Sequence, residues 1–294
     1  MDDAVAQTQI HRNALIAYAY RITGSLEDAK DITQETILKY INANIQEIRN
    51  PKAWMFKVAT NLCLDFLKSA RHTRESYIGP WLPEPYIEED HDLYNELELD
   101  ESLSMALLVL MEKLSPKEKT AYILHDIFDF SHHEIADMVN TSVQNSRQLS
   151  SRAKKKLKLD KSSFTPSTDE HIQLTNSFLK AVKMGDFENL KKIFSDEIKF
   201  HSDGGGKALA FRKVLYKDSS YISKFFIDNV STPYLDKESG ANIETRWFNG
   251  ALGVIIWHNN SIVTAFSFKI SDQKIAGIYA LRNPDKLKYF YSLA

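Results

Sequence analysis

Three prolines in Gly79-Pro-Trp-Leu-Pro-Glu-Pro85 are followed by a stretch, residues 84–101, with nine acidic residues and no lysine or arginine. Proline removes a backbone donor and the acidic run repels itself, so residues 75–100 pack no core of their own and read as a linker. The chain must fold separately on either side of it. Its 294 residues, 43% hydrophobic and 26% charged, suffice for two or three ordinary globular units at about 150 residues per domain. The expected boundaries are 1–74, the linker 75–100, then 101–160 and 161–294.

The net charge of −2 is a cancellation. Residues 49–74 hold six basic residues and one acidic, residues 144–161 hold seven and one, and the linker offsets them. Two basic segments flanking an acidic connector fit two nucleic-acid contacts on a tether, or else solvated helix faces. The longest apolar stretch, Ala251 to Trp257, is too short for a bilayer span, and the start is acidic and polar, unlike a signal peptide. The expectation is a cytoplasmic protein without a membrane. The single cysteine, Cys63, lies in an apolar context and reads as core, which leaves no internal disulfide or multi-cysteine metal site.

From Thr8 to Arg74 the pattern is helical. Leu26, Ala29, Ile32, Ile37 and Ile41 mark one helix capped by Ser25, and Trp54, Val58, Leu62 and Phe66 mark another begun by Asn50-Pro51. Two capping boxes, Ser115 to Glu118 and Ser131 to Glu134, start helices in the second module. There a short helix with Ile135, Ala136 and Val139 inward is followed by a polar break, Asn140-Thr-Ser142, and a longer basic helix. Ser146, Leu149, Ala153 and Leu157 place one face on the core and turn Gln144, Asn145, Arg147, Gln148, Ser151, Arg152 and Lys155 outward. Such a face suits a DNA major groove, where arginine pairs with guanine and glutamine or asparagine with adenine. The string His133-Glu-Ile-Ala-Asp137 has the outline of a zinc-protease motif, but Glu134 is accounted for as the partner of Ser131 and no third ligand is evident.

The stretch Tyr20 to Thr36, with Pro51-Lys-Ala-Trp54 and Asn61-Leu-Cys-Leu-Asp65, resembles region 2 of the extracytoplasmic-function (ECF) bacterial sigma factors. Residues 103–158 resemble their region 4, through Leu114-Ser-Pro, Glu134-Ile-Ala and Ser151-Arg-Ala. Trp81-Leu82-Pro83-Glu84-Pro85, Asp203-Gly204-Gly205-Gly206-Lys207 and Asn283-Pro284-Asp285-Lys286-Leu287 resemble the signatures of a subgroup with a fused C-terminal SnoaL-like domain. The resemblance implies two all-α sigma modules, a region 2 bundle and a region 4 helix-turn-helix, followed by a cone-shaped α+β domain. Asp28, Asp31, Gln34 and Glu35 would meet the β′ clamp helices of RNA polymerase core. Lys30 departs from the acidic residue common there. Arg49, Asn50, Lys52, Trp54, Lys57, Asn61, Lys68, Arg71 and Arg74 would capture and open the −10 element, although Trp54 also reads as core. Ser131 and the face from Gln144 to Lys155 would read the −35 element of promoter DNA. The three subgroup motifs would join the domains and control activity in cis.

For the last domain, Asn242–Phe248, Ala251–His258, Ser261–Ile270 and Lys274–Leu281 read as strands of an antiparallel meander, separated by Asn249-Gly250, Asn259-Asn260 and Asp272-Gln273. Two short amphipathic helices precede them. The three glycines of 204–206 permit positive φ or a close approach, and Asp285 to Tyr291 reads as a short helix or tail with exposed aromatics. His201 and Asp203 fit an acid/base pair or plain surface residues. Alternatives are a SnoaL-like enzyme with a DNA-binding appendage and a one-component transcription regulator. The sigma reading implies no cofactor and no enzyme activity, a monomer when free, and leaves a small-molecule ligand for the C-terminal pocket open.

Overall fold

The computed structural model describes residues 2–87, 103–158, 168–236 and 240–291. Most of the acidic run lies outside the described residues. The chain divides into two compact units: among the described residues, 2–75 and 108–158 form the first, and 76–87, 103–107, 168–236 and 240–291 the second.

Up to Lys158 the regular elements are helical: α1 (Asp2–Thr23), α2 (Leu26–Ile41), α3 (Pro51–Glu75), α4 (Met105–Met111), α5 (Pro116–Asp126), α6 (His132–Met138) and α7 (Val143–Lys158). The caps are where the sequence puts them. Ser25 accepts from the Asp28 amide, Asn50 from that of Ala53, and both capping boxes close. The apolar stripes need correction. On α3 the fully buried apolar residues are Met55, Phe56, Ala59 and Cys63, with Thr60 buried among them, while Trp54, Val58, Leu62 and Phe66 are half-buried beside them. On α2 the buried face runs through Ala29, Ile32, Thr33, Thr36 and Tyr40, leaving Ile41 exposed. Threonine methyls and a tyrosine ring fill places that hydrophobicity alone assigns to isoleucine. Burial pushes the Cys63 thiol well up from its ordinary pKa, so it packs as a small apolar group.

The helices of both modules pack into the first unit. Phe128 meets Tyr18 at 5.8 Å and Phe56 at 5.1 Å, and Phe130 meets Phe56 at 5.0 Å between centroids. Buried Lys119 donates from Nζ to the Ile22 carbonyl at 2.9 Å and to Glu112 Oε1 at 2.5 Å. The expected tether between separate modules is thus supplemented by a shared core.

The second unit is α+β. Helices α8 (Thr168–Met184), α9 (Phe187–Ile193), α10 (Ser219–Phe226), α11 (Thr232–Leu235) and α12 (Pro284–Leu287) accompany β1 (Phe194–Asp203), β2 (Leu215–Asp218), β3 (Ala241–Phe248), β4 (Ala251–His258), β5 (Ser261–Ser271) and β6 (Lys274–Leu281). The sheet order is β2-β1-β6-β5-β4-β3. The β3 to β6 meander is antiparallel as expected, and each of its three two-residue turns has positive φ at both positions, the conformation that favours asparagine and glycine. β1 adds to β6 in parallel, making the sheet mixed. Phe178, Phe194, Phe226, Phe266 and Phe268 form the core with the aliphatic residues around them. The tail aromatics are not all exposed, because Phe290 is fully buried and meets Phe248 edge-on, with ring centroids 5.2 Å apart.

On α8, His171 Nε2 and Thr175 Oγ1 both lie within hydrogen-bond distance of the Leu252 carbonyl, at 3.0 and 3.3 Å. Burial lowers the His171 pKa from 6.5, and its hydrogen bond to Leu252 opposes this in part. The unfolded chain therefore takes up a proton near pH 6.5 that the folded ring refuses, so stability falls as pH drops through 6.5 toward the folded value. Urea titrations of wild type and His171→Gln between pH 8 and pH 5 should show the wild type losing more of its stability on acidification, with the gap between the two narrowing.

Candidate functional sites

The helix-turn-helix presents its polar face as the spacing requires. Ser146, Leu149, Ala153 and Leu157 are buried, whereas Gln144, Arg147, Gln148, Ser151, Arg152 and Lys155 are exposed. Asn145 is half-buried, and its amide donates to Thr141 Oγ1 at 2.6 Å, which helps to fix the turn. The Ser131 hydroxyl is committed to its capping box with Glu134. Beside this face His125, His132, Arg147, Ser151, Lys154 and Lys155 line a groove of about 500 Å³. Partial burial, with His125, Arg147 and Lys154 adding repulsion, lowers the His132 pKa, so the cations there favour an anion such as a phosphate.

On α2, Asp31, Gln34 and Glu35 are exposed, and Asp28 is half-buried. Leu38 and Ile41, 52% and 42% exposed, continue the stripe, giving an acidic surface with an apolar end. Glu35 also pairs with Lys39 at 2.9 Å.

The residues expected at the −10 element are divided. Arg49, Asn50, Lys52, Asn61 and Lys68 are exposed. Trp54 is half-buried, 5.6 Å from the Tyr40 ring, so it serves the packing of α2 on α3. Lys57 pairs with Asp137 at 2.8 Å, Lys52 lies 5.0 Å from the Phe130 ring, and Lys68 pairs with Asp65. Two of these cations therefore contact region 4 residues within the helical unit. For Arg71 and Arg74 only the helical backbone is described.

The three remaining motifs meet within the second unit. Asp203 is fully buried. Its Oδ1 accepts from Tyr77 Oη at 2.6 Å and from the Gly205 amide at 3.0 Å; its Oδ2 accepts from the Leu82 amide at 2.9 Å and from Lys286 Nζ at 2.7 Å. Lys286 Nζ also donates to the Leu82 carbonyl and lies 4.4 Å from the centre of the Trp81 ring. Pro83 and Pro85 are buried and Glu84 half-buried. Asn283 donates to Tyr77 Oη at 2.9 Å and caps the short α12, while Lys207 pairs with Asp285 at 2.5 Å. Gly205 and Gly206 have φ of +58° and +73°, and a Cβ on them would stand 2.3 Å from Asn283 Nδ2 and 2.8 Å from Ile78 Cδ1. The glycines allow this close approach. Burial and the Asp203 carboxylate raise the Tyr77 pKa, keeping it a hydrogen-bond donor. Tyr77 and Tyr86 carry no signal of this role in the sequence, and Asn249, expected only as a turn residue, exchanges backbone and side-chain bonds with Tyr86.

His201 and Asp203 do not form an acid/base pair in a pocket. The cavity of this unit is lined by Phe200 and Ser202, the alternate positions of β1, and His201 stacks on Tyr279 at 4.9 Å.

Residues 9–73 match the family model for sigma-70 region 2 and residues 104–157 that for sigma-70 region 4. Over 293 residues the chain is 30% identical to the ECF RNA polymerase sigma factor SigJ of Mycobacterium tuberculosis, covering 96% of this chain and 92% of the relative. The chain belongs to the ECF RNA polymerase sigma factors. It is also 25% identical over 288 residues to a probable ECF sigma factor, SigI, of the same species, covering 97% of this chain and 95% of that one. The crystal structure of M. tuberculosis SigJ superposes with a TM-score of 0.77 at 26% identity, covering 97% of this sigma factor and 98% of that chain. The likeness thus runs through the C-terminal α+β domain, as expected for the subgroup with a fused SnoaL-like domain. The relatives are sigma factors, which are not enzymes. Among the described residues no helix is long and apolar enough to cross a membrane.

Asp203→Asn or Lys286→Met alone leaves a buried partner unmatched and should cost about 3–5 kcal/mol. The double variant should lose clearly less than the sum, with urea unfolding of the full chain followed by tryptophan fluorescence as the measurement.

Proposed function

We propose that this sigma factor binds RNA polymerase core and directs it to promoters read at both the −35 and −10 elements, with the C-terminal domain controlling the process in cis. The observation that carries this reading is the face of α7, with six polar and basic side chains exposed over a buried stripe, in a helix-turn-helix whose first helix, α6, is closed by the Ser131 capping box. Gln144, Arg147, Gln148 and Arg152 read bases, and Ser151 and Lys155 hold phosphates. The α2 stripe of Asp31, Gln34 and Glu35, with Leu38 and Ile41, docks on basic β′ clamp helices. Arg49, Asn50, Asn61 and Lys68 of the α3 region face the −10 strand, and Lys52 and Lys57 join them when they leave Phe130 and Asp137. This work takes place in the cytoplasm, with a monomer as the free form.

Control in cis rests on the clamp around Asp203. Residues 76–87 continue from α3, and the clamp holds them on the α+β domain through Leu82 and Tyr77. The domain therefore fixes where the chain can go after region 2. Releasing it lengthens the effective tether to region 4 and changes promoter spacing tolerance.

In vitro transcription with core polymerase tests the reading. Promoter-specific run-off product is expected with wild type, and its absence with duplex binding retained would favour a one-component regulator instead. Arg147→Ala and Arg152→Ala should each cost about 1–3 kcal/mol of promoter discrimination where they pair with a base. Lys155→Ala should lower the salt slope by about 0.9 without changing sequence preference. Reversal of Asp31 and Glu35 to lysine should weaken core binding at least tenfold in fluorescence titration while leaving −35 duplex binding unchanged.

A further inference from the structure

The α+β domain holds a cavity of about 480 Å³, within the range that small-molecule sites occupy. Phe200, Phe211, Phe225, Ile256 and Phe266 supply apolar walls, and Arg282 lines it as well. Among the described residues no carboxylate lines the cavity. Arg282 Nη1 donates to the Leu209 carbonyl at 2.6 Å, whereas its Nε is buried with no partner. Burial lowers the Arg282 pKa by desolvation. A half-buried arginine on the wall of a largely apolar cavity, with no counter-ion among the described residues, is complementary to an anion, and its planar fork suits a carboxylate.

We propose that this cavity binds a monocarboxylate with an apolar body, an alkanoate or aryl-alkanoate, with its head group on Arg282. The apolar body displaces water from the phenylalanine walls, and the carboxylate supplies the charge that the guanidinium lacks. The ligand also touches the clamp indirectly. The Arg282 amide donates to the Asp203 carbonyl at 2.7 Å, Asn283 follows it in sequence, and Leu209 lies two residues after Lys207. A head group that draws the guanidinium from Leu209 thereby acts on the loop that holds Tyr77 and Leu82. This second consequence rests on the cis-control reading above; binding does not.

Isothermal titration of the full chain with decanoate and 4-phenylbutyrate, each against its alcohol, tests the proposal. At least one acid should bind at least tenfold more tightly than its alcohol. Arg282→Met should abolish that preference while retaining the alcohol, and Val263→Phe, which fills the cavity, should weaken both. Failure of both acids to outbind their alcohols, or an acid preference that survives in folded Arg282→Met, overturns the proposal. If Arg282→Met does not fold, the wild-type comparison and Val263→Phe decide it. In run-off transcription, the acid that binds should change promoter-specific product from wild type and leave Val263→Phe unaffected; binding without such a change overturns the link to the clamp and leaves the site standing.

Discussion

A carboxylate with no exposure to water sets the organisation of the second unit. The effective cost of burying an ion is several kcal/mol, and Asp203 meets it with four donors from three segments of the chain. Each donor imposes a constraint. The Gly205 amide reaches Oδ1 only if the loop turns back at once, which takes positive φ. Lys286 reaches Oδ2 because it lies on the short helix that Asn283, three residues earlier, caps. The Leu82 amide is free to donate because the neighbouring prolines keep the segment extended, outside any helical ladder. The three sequence motifs are thus parts of one charge-neutralising assembly.

The helical unit is held together differently. Its shared core is a group of aromatic rings, Tyr18, Phe56, Phe128 and Phe130, with Lys119 buried against a carbonyl and a glutamate. Around this core lie exposed contacts such as Lys57 to Asp137, whose partners are 43% and 68% exposed and which is worth about 1 kcal/mol or less. Rings set the arrangement, and the surface pair adjusts it.

Local signals made much of this legible. Ser115, Ser131 and the Asn-Gly, Asn-Asn and Asp-Gln turns act within a few residues of themselves, so their sequences specify their geometry. The inward face of α7 likewise follows from a regular period. Strand β1 carries no comparable signal: Phe194 to Asp203 mixes charges with apolar residues, shifts register between Phe194 and Lys199, and pairs in parallel with a strand some eighty residues away. Parallel pairing has no adjoining turn to announce it. On α3 the stripe through Trp54 lies beside the true core face, because large residues crowd both and only the packed partners choose between them. The outward face of α7 is legible because exposure follows from helix phase; the contacts of Lys52 and Lys57 are not, since they depend on residues of another module.

The same surfaces therefore answer to two demands. Under the proposed function, the α2 stripe is exposed from the outset and α7 keeps its reading face free, whereas Lys52 and Lys57 are held by Phe130 and Asp137. Polymerase can engage α2 before the modules part, and a partner that binds the parted state better shifts the population by its difference in affinity for the two states. A surface ion pair of about 1 kcal/mol or less is replaced by a phosphate contact without large loss, but the aromatic core is not. Separation of the modules must then be driven mainly by the area that polymerase and promoter bury.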